Sequence, residues 1–236
     1  MLRRVLILAV CAFACLAGDC AIKTHERLKY STTAVKPGVW SLQFDKCRKL
    51  AIESGVPLVV LWVNPGCAHC RELCYSIADS PLFDKWRTDS GFVFVIGIGR
   101  TTKTGEKVKE FAKVDRLKSI SSYPFCAVYL NPIGKTSSSI KRVFTGSGLS
   151  ATGFRKQVST ILRNYAKITL KSSSGGTVRQ VSWQQKGKKV TLKATSDRGY
   201  RLLGWYDQKG NLVSKKASYK ITVKKNVTYT AKFKKE

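Results

Sequence analysis

Short apolar runs and segments of helical period alternate along residues 40–166. Two of the runs, residues 57–63 and 92–96, are almost entirely apolar and are shorter than a typical helix. Runs of this kind are expected of strands that are covered on both faces of a sheet. Because helical segments follow them, the pattern predicts an α/β layer domain.

Periodicity and turn residues predict the other elements of this domain. Gly55 ends the first helix, and the Asn-Pro-Ile-Gly loop at residues 131–134 separates two strands as in a hairpin. The predicted helices are 40–54, 67–78, 81–88, 107–118 and 149–165, and the further strands are 125–130 and 140–144.

The pattern changes after Lys167, where helical periodicity stops. Short stretches in which apolar and polar residues alternate are separated by Gly, Ser and Asn turns. The predicted strands are 167–170, 189–194, 218–223 and 228–233. We therefore expect a small β-rich domain over residues 167–236, which follows the α/β domain of residues 37–166.

The N-terminus has the three parts of a secretory signal peptide over residues 1–18. Arg3 and Arg4 precede an apolar run, and the run ends in small residues. The sequence therefore predicts an exported protein, located in the periplasm, on the cell surface or outside the cell. A linker is expected over residues 19–36.

Three cleavage sites fit the small residues at the end of this segment, after Ala14, Ala17 or Gly18. Cleavage after Ala14 would make Cys15 the first residue, which is the position that carries the lipid in a lipoprotein. A lipoprotein anchor therefore stays an open alternative.

The charge balance of the chain is strongly basic. The sequence has 43 Lys and Arg residues against 14 Asp and Glu, a net charge of +29. Residues 167–236 hold 18 of the basic and 3 of the acidic residues, so this region alone carries +15. The hydrophobic content of 43% supports packed cores and excludes an intrinsically disordered chain.

Such an excess of positive charge predicts an acidic partner. We expect residues 167–236 to contact anionic lipid or an acidic envelope polymer. Clustered charge also gives non-specific affinity for nucleic acid. However, the region has no groove-reading helix and no sheet motif in which aromatic and basic residues interleave, and the chain begins with an export signal. The sequence therefore argues against a nucleic-acid partner.

Export affects how the cysteines are interpreted, because disulfides persist outside the cytoplasm. Three of the eight cysteines lie in or beside the signal segment, and the folded part keeps five, namely Cys47, Cys67, Cys70, Cys74 and Cys126. Static disulfides cannot use up an odd number of thiols. Redox chemistry and metal binding are therefore the two functions to consider for these five cysteines.

The segment Cys67-Ala-His-Cys70 follows a predicted buried strand and begins a predicted helix. Free N–H groups and the positive end of the helix dipole favour a thiolate on Cys67. Cys70 lies one turn further along and is close enough to form a small disulfide ring. The sequence therefore predicts Cys67 as the nucleophile, Cys70 as its resolving partner and His69 as a residue that stabilises the thiolate.

Three segments resemble the thioredoxin-like superfamily. They are the apolar run 57–63, the helix start Cys67-Ala-His-Cys70, and Tyr123-Pro124 in front of strand 125–130, with Asn131-Pro-Ile-Gly-Lys135 after it. The resemblance implies a thioredoxin-like fold over residues 37–166, with a central mixed sheet flanked by helices.

The same resemblance implies a site and partners. Pro124 takes the place of the family's cis proline, so Pro124 and Tyr123 are expected to shape the groove for a substrate chain. The implied redox centre is a Cys67–Cys70 disulfide with no other cofactor. Protein thiols and disulfides are the implied partners, together with a redox partner that the sequence does not name.

Two positions depart from the family pattern. Gly66 stands where the family often has Trp, and Leu61 stands in place of a buried Asp that accepts the proton of the resolving thiol. Proton transfer from Cys70 would then depend on water or on another group.

Other uses of these cysteines stay open. Four residues could supply zinc or copper ligands, namely Cys67, His69, Cys70 and Cys74. Because four donors within one and a half helical turns rarely converge tetrahedrally, we expect no metal. Cys74 and Cys47 are expected as buried apolar groups or as one structural disulfide. Cys126 is expected as a core residue of a strand, with a second redox thiol as the alternative.

Residues 167–236 resemble the divergent internalin-type B-repeat of bacterial surface and secreted proteins. The resemblance rests on a Gly-Gly turn, a Val-x-Leu-x-Ala strand, a Gly-Tyr core segment and a closing Tyr-Thr-Ala-x-Phe strand, which begin at Gly175, Val190, Gly199 and Tyr229. It implies a β-rich spacer or adhesion unit without chemistry of its own, with Tyr200 and Trp205 as core aromatics.

These patterns predict an exported thiol–disulfide exchange protein that acts on envelope or secreted proteins through Cys67 and Cys70. The alternative belongs to another class of protein. In it, a redox-silent thioredoxin-like domain is the scaffold of a surface binding protein, and the basic repeat contacts acidic envelope polymers or lipids.

Overall fold

The structure is a computed structural model that describes residues 26–64, 66–98, 123–130 and 141–236. The predicted signal peptide, the predicted helix 107–118 and the predicted loop 131–134 lie outside these residues. The chain divides into two compact units, one up to Gln157 and one from Val158. The sequence places its domain boundary further along, between residues 166 and 167.

Helices and strands alternate in the first unit. The helices are α1 (Phe44–Ser54), α2 (Ala68–Ala78) and α3 (Pro81–Asp89), and a 3-10 turn, Glu26–Leu28, precedes them. A fourth helix, α4 (Ala151–Arg163), begins in the first unit and ends in the second. The strands are β1 (Trp40–Ser41), β2 (Leu58–Val63), β3 (Val93–Ile98), β4 (Phe125–Tyr129) and β5 (Lys141–Thr145). In the ranges described, every helix is too short or too polar to cross a lipid bilayer.

The five strands form one mixed sheet in the order β1-β3-β2-β4-β5. β1, β3 and β2 run parallel, whereas β4 and β5 run antiparallel to their neighbours. Every residue of β2 is buried, as expected of a central strand with both faces covered. The prediction of an α/β domain with a mixed sheet is confirmed.

The first predicted helix starts later than expected. Trp40 and Ser41 form strand β1 beside β3, and the helix begins only at Phe44, so the prediction of a helix from residue 40 is wrong. The indole of Trp40 is 1% exposed and meets the ring of Phe94 edge-on at 5.1 Å. Burial of this large ring against the sheet outweighs the helical period.

The end of that helix agrees with the sequence. Gly55 adopts the left-handed conformation, with φ of 59°, and its N–H donates to the Ile52 carbonyl at 3.2 Å. Glycine has no Cβ to oppose this conformation. The prediction that Gly55 ends the helix is confirmed.

Part of the predicted linker 19–36 packs on the first unit. Leu28 is only 4% exposed. The N–H of Ser31 donates to the Trp40 carbonyl at 2.8 Å, and an isolated bridge joins Ser31 to Ser41. Ser31 therefore pairs with β1 at the edge of the sheet.

The second unit is a β-sandwich. Its strands are β6 (Tyr165–Ser172), β7 (Gly176–Val178), β8 (Trp183–Gln185), β9 (Lys189–Ser196), β10 (Tyr200–Tyr206), β11 (Leu212–Ser214), β12 (Ser218–Thr222) and β13 (Val227–Lys235). One sheet has the order β11-β10-β13-β6-β8, and the other has the order β12-β9-β7. The prediction of a β-rich C-terminal region is confirmed.

The core of this unit contains residues from both sheets. Trp205 is fully buried, and Tyr200 packs against the same cluster, so both are core aromatics as predicted. The other buried members are Ala166, Ile168, Leu170, Leu192, Ile221, Val223, Ala231 and Phe233. Strands β7, β8 and β11 are three residues long each, too short to give a periodic signal in the sequence.

Gly175 and Gly187 provide a matched pair for a stability test. Both adopt positive φ, +90° and +87°, but a Cβ on Gly175 would overlap the Tyr200 ring, whereas a Cβ on Gly187 would meet nothing within 4 Å. We expect Gly175→Ala to lower the free energy of unfolding by about 1–3 kcal/mol more than Gly187→Ala, because only the first displaces a core ring. Urea unfolding of the two variants measures the difference, and equal losses would contradict it.

Candidate active site

Cys67 lies where β2 passes into α2. The strand ends at Val63, and Cys67 has the extended conformation of an N-cap residue in front of the helix. Its sulfur accepts a hydrogen bond from the N–H of Cys70 at 3.2 Å, and the residue is half-buried. A sulfur in this position receives both a backbone donor and the positive end of the helix dipole.

Cys70 faces the interior and is fully buried. Its sulfur lies 3.5 Å from the N–H of Asn64, which donates to it. Burial raises the pKa of the Cys70 thiol, and its interaction with Cys67 raises it further. The two sulfurs of the motif therefore differ in access, because only Cys67 reaches the surface.

The segment before β4 lies beside the Cys67 sulfur. The peptide bond between Tyr123 and Pro124 is cis. The Cys67 thiol donates to the carbonyl of Tyr123 across 3.6 Å. The Tyr123 ring meets Trp62 of β2 edge-on at 5.5 Å. The structure therefore brings together Cys67, Cys70, Tyr123 and Pro124, which are far apart in the sequence.

The side chain of His69 lies beside Glu72, and its effect on the Cys67 thiolate stays a prediction. Its ring nitrogen Nδ1 lies 3.3 Å from Glu72 Oε2, three residues further along the helix, and both side chains are more than half exposed. The hydrogen bond of His69 therefore goes to Glu72 and not to a cysteine sulfur. The i,i+3 spacing of the two residues on a predicted helix is the signal that could have identified this pair.

Leu61 and Cys126 occupy the interior near the site. Both are fully buried, and they are register partners on β2 and β4. A leucine here provides no group that could accept a proton. Burial raises the pKa of Cys126 well above its ordinary value, and the nearby Cys70 and Cys74 sulfurs raise it further.

Cys74 and Cys47 are buried apolar groups in this structure. Each is fully buried and free, so the alternative of a disulfide between them is not formed. Burial raises the pKa of Cys74 to about 12 and that of Cys47 to about 11. The Cys47 thiol donates to the carbonyl of Phe94 across 3.7 Å. Neither thiol is placed to react with a solvent-borne substrate.

No metal centre is formed by the parts of the chain that the structure describes. Within them, no three His, Cys, Asp or Glu side chains are placed to hold a metal ion together. The four residues that could have supplied ligands, Cys67, His69, Cys70 and Cys74, lie along one side and one end of a single helix.

Comparison with known proteins identifies the C-terminal region. The family described as the divergent InlB B-repeat domain matches residues 166–236, so the resemblance predicted for this region is confirmed. A solution structure of a thioredoxin from Thermus thermophilus matches with 16% identity and a TM-score of 0.39, over 52% of this chain and 85% of that chain. No curated protein matches the sequence.

Gly146 supports the segment that contains Pro124. Its N–H donates to the Pro124 carbonyl at 2.9 Å. A Cβ added to Gly146 would lie 2.7 Å from Leu73 Cδ2, 2.8 Å from Pro124 Cγ and 3.1 Å from Cys126 Sγ. This side of the site is therefore packed without spare volume.

We expect Gly146→Ala to lower the free energy of unfolding by about 1–3 kcal/mol, because the extra methyl group forces three neighbours apart. Gly66→Ala is the control, since a Cβ there meets nothing within 4 Å. Its effect should stay within about 0.5 kcal/mol. Denaturant unfolding of both variants measures the two changes, and a neutral Gly146→Ala would show that the packing behind Pro124 is loose.

Proposed function

We propose that the first unit is a thioredoxin-like domain that carries out thiol–disulfide exchange on envelope or secreted proteins. The observation that carries the proposal is the pairing of a half-buried Cys67 sulfur at a helix start with a fully buried Cys70 one turn further on. The mixed sheet and the position of this helix after its central strand support the fold assignment. The export signal predicted in residues 1–18 supports the choice of substrates.

The proposed reaction has two steps. The Cys67 thiolate attacks one sulfur of a substrate disulfide, so that a mixed disulfide forms and the other substrate sulfur leaves as a thiolate. The Cys70 thiolate then attacks the Cys67 sulfur, which releases the second substrate thiolate and leaves a Cys67–Cys70 disulfide. Two electrons pass from the protein to the substrate, and the released thiolates take protons from water. The reverse sequence oxidises a substrate dithiol.

The helix start supports the first step. The N–H of Cys70 donates to the Cys67 sulfur at 3.2 Å and holds it at the start of the helix. The same sulfur lies 3.6 Å from the Tyr123 carbonyl. A substrate chain that reaches Cys67 would therefore lie against Tyr123 and Pro124.

The burial of Cys70 governs the second step. A buried thiol with a raised pKa is protonated at neutral pH, and Leu61 offers it no proton acceptor. The mixed disulfide on Cys67 is therefore expected to persist longer than it would with an ionised resolving thiol. Long-lived mixed disulfides suit a protein that holds its substrate while other disulfides rearrange.

Cysteine variants test the proposal directly. Cys70→Ala is expected to accumulate mixed disulfides with exported proteins, because Cys67 can attack but nothing resolves the adduct. Cys67→Ala should form none. Cys74→Ala is the matched control, since this fully buried thiol lies one turn further along the same helix. Non-reducing electrophoresis and mass spectrometry identify the adducts. If Cys70→Ala traps no more protein than Cys67→Ala, the redox-silent scaffold is the better description.

The pH dependence of resolution tests the role of Cys70. Because burial raises the pKa of Cys70, its thiolate fraction at neutral pH is small and grows about tenfold per pH unit. The rate at which a preformed mixed disulfide on Cys67 is resolved should therefore rise steadily between about pH 7 and pH 9. Rapid-quench alkylation of single turnovers measures this rate. A rate that does not change with pH would show that Cys70 is already ionised.

A further inference from the structure

The outward face of the five-stranded sheet in the second unit concentrates positive charge. Core residues such as Leu170 and Ala231 mark the inward positions of β6 and β13, so the alternate positions of these strands point outward. Four exposed basic residues occupy outward positions on three neighbouring strands. They are Lys171 of β6, Arg201 of β10, and Lys232 and Lys234 of β13, called here the basic face.

Two of these charges are placed directly opposite each other. Arg201 and Lys234 are register partners on β10 and β13, and neighbouring strands are about 4.8 Å apart. Like charges that face each other across a sheet are destabilising. Within β6, β8, β10 and β13, no outward position holds Asp or Glu. Glu236 follows directly after β13, where its N–H donates to the Gly199 carbonyl at 3.0 Å. The strands themselves therefore contain no acidic partner for Arg201 and Lys234.

One lysine of the basic face is held in place by an aromatic ring. The ammonium nitrogen of Lys232 lies 4.3 Å from the centroid of the Tyr206 ring, a cation–π contact. Gly204, the register partner of Lys232, places no side chain beside it. An ammonium group that is already positioned loses less conformational entropy when it binds an anion.

The other sheet of the sandwich carries lysines in a different arrangement. Lys189, Lys193 and Lys220 are exposed on β9 and β12. Their register partners across the β9–β12 pair are Thr222, Ser218 and Thr191 respectively. On its other side Lys193 faces the exposed Arg179, whose N–H donates to the Lys193 carbonyl at 3.0 Å. This sheet provides a control surface with the same number of lysines.

We propose that the basic face binds a linear acidic polysaccharide. Carboxylate groups along such a chain would pair with Arg201 and Lys234 and replace their repulsion with attraction. Thr230 lies between Lys171 and Tyr206 in the register, and its hydroxyl can bond to sugar hydroxyl groups. This function is separate from thiol–disulfide exchange and does not depend on it.

Two other acidic partners fit the basic face less well. Proteins that bind single-stranded nucleic acid stack bases on open aromatic rings, whereas the ring of Tyr206 is occupied by Lys232. An anionic lipid surface attracts lysines whatever they face within a sheet, so it would use both sheets of the sandwich alike. A preference for the basic face therefore distinguishes a polysaccharide chain from a membrane.

The binding test uses the full chain and polygalacturonate, with uncharged dextran, phosphatidylglycerol vesicles and oligothymidylate as comparison ligands. The triple variant K171Q/K232Q/K234Q should bind polygalacturonate about tenfold more weakly than the unchanged chain at low ionic strength. The triple variant K189Q/K193Q/K220Q removes the same charge and should lose less than about threefold. Calorimetric titration measures the affinities, and far-UV circular dichroism checks that both variants are folded.

Several outcomes would overturn the proposal. Equal losses in the two triple variants would show that net charge alone attracts the polymer. Tighter binding of vesicles or of oligothymidylate, with the same dependence on the three lysines of the basic face, would assign the surface to a membrane or to nucleic acid. Binding of uncharged dextran as tight as that of polygalacturonate would exclude the ion pairs.

A stability measurement tests the same surface without comparing ligand classes. K234Q removes the repulsion with Arg201, so the free variant should unfold at a higher temperature than the unchanged chain. K220Q is the control, because Lys220 faces Thr191, and its unfolding temperature should not rise. Polygalacturonate should raise the unfolding temperature of the K220Q variant more than that of the K234Q variant. A K234Q variant that is no more stable than K220Q would contradict the argument from repulsion.

Discussion

The hydrogen bond from the N–H of Cys70 to the sulfur of Cys67 is the interaction on which the proposed chemistry depends. It forms only because β2, buried on both faces, delivers the chain to the start of α2. The same geometry leaves Cys67 accessible and places Cys70 in the interior, so one turn of helix separates a reactive sulfur from a protected one. Tyr123 comes to the site from a distant part of the sequence because β4 pairs with β2.

Much of the fold could be predicted from the sequence. A strand that is buried on both faces, such as β2, appears in the sequence as an uninterrupted apolar run. A helix that ends in the left-handed conformation favours glycine at that position, which is Gly55 here. Trp40 could not be assigned in this way. Its spacing fits the helical period of the residues after it, and only the pairing of β1 with β3, with Phe94 as the ring partner, identifies it as a strand residue. Contacts between distant segments are not contained in a local period.

In the candidate site and in the basic face, too, some features could be predicted from the sequence and others depend on the folded structure. The spacing of Cys67 and Cys70 after a strand could be recognised in the sequence, whereas the complete burial of Cys70 depends on tertiary packing. Charge could be counted along residues 167–236, but the β10–β13 register that sets Arg201 opposite Lys234 includes a bulge, so alternation alone does not give it. The first unit thus depends on burial that separates two thiols, and the second tolerates a repulsion that a bound polyanion would relieve.

The most direct test of the central claim is a redox titration of residues 26–236 in glutathione buffers. Alkylation followed by mass spectrometry then locates the disulfides at each potential. The predicted result is one two-electron couple confined to Cys67 and Cys70, while the buried Cys47, Cys74 and Cys126 remain thiols throughout. A Cys67–Cys70 pair that never cycles between dithiol and disulfide would contradict thiol–disulfide exchange as the function of the first unit.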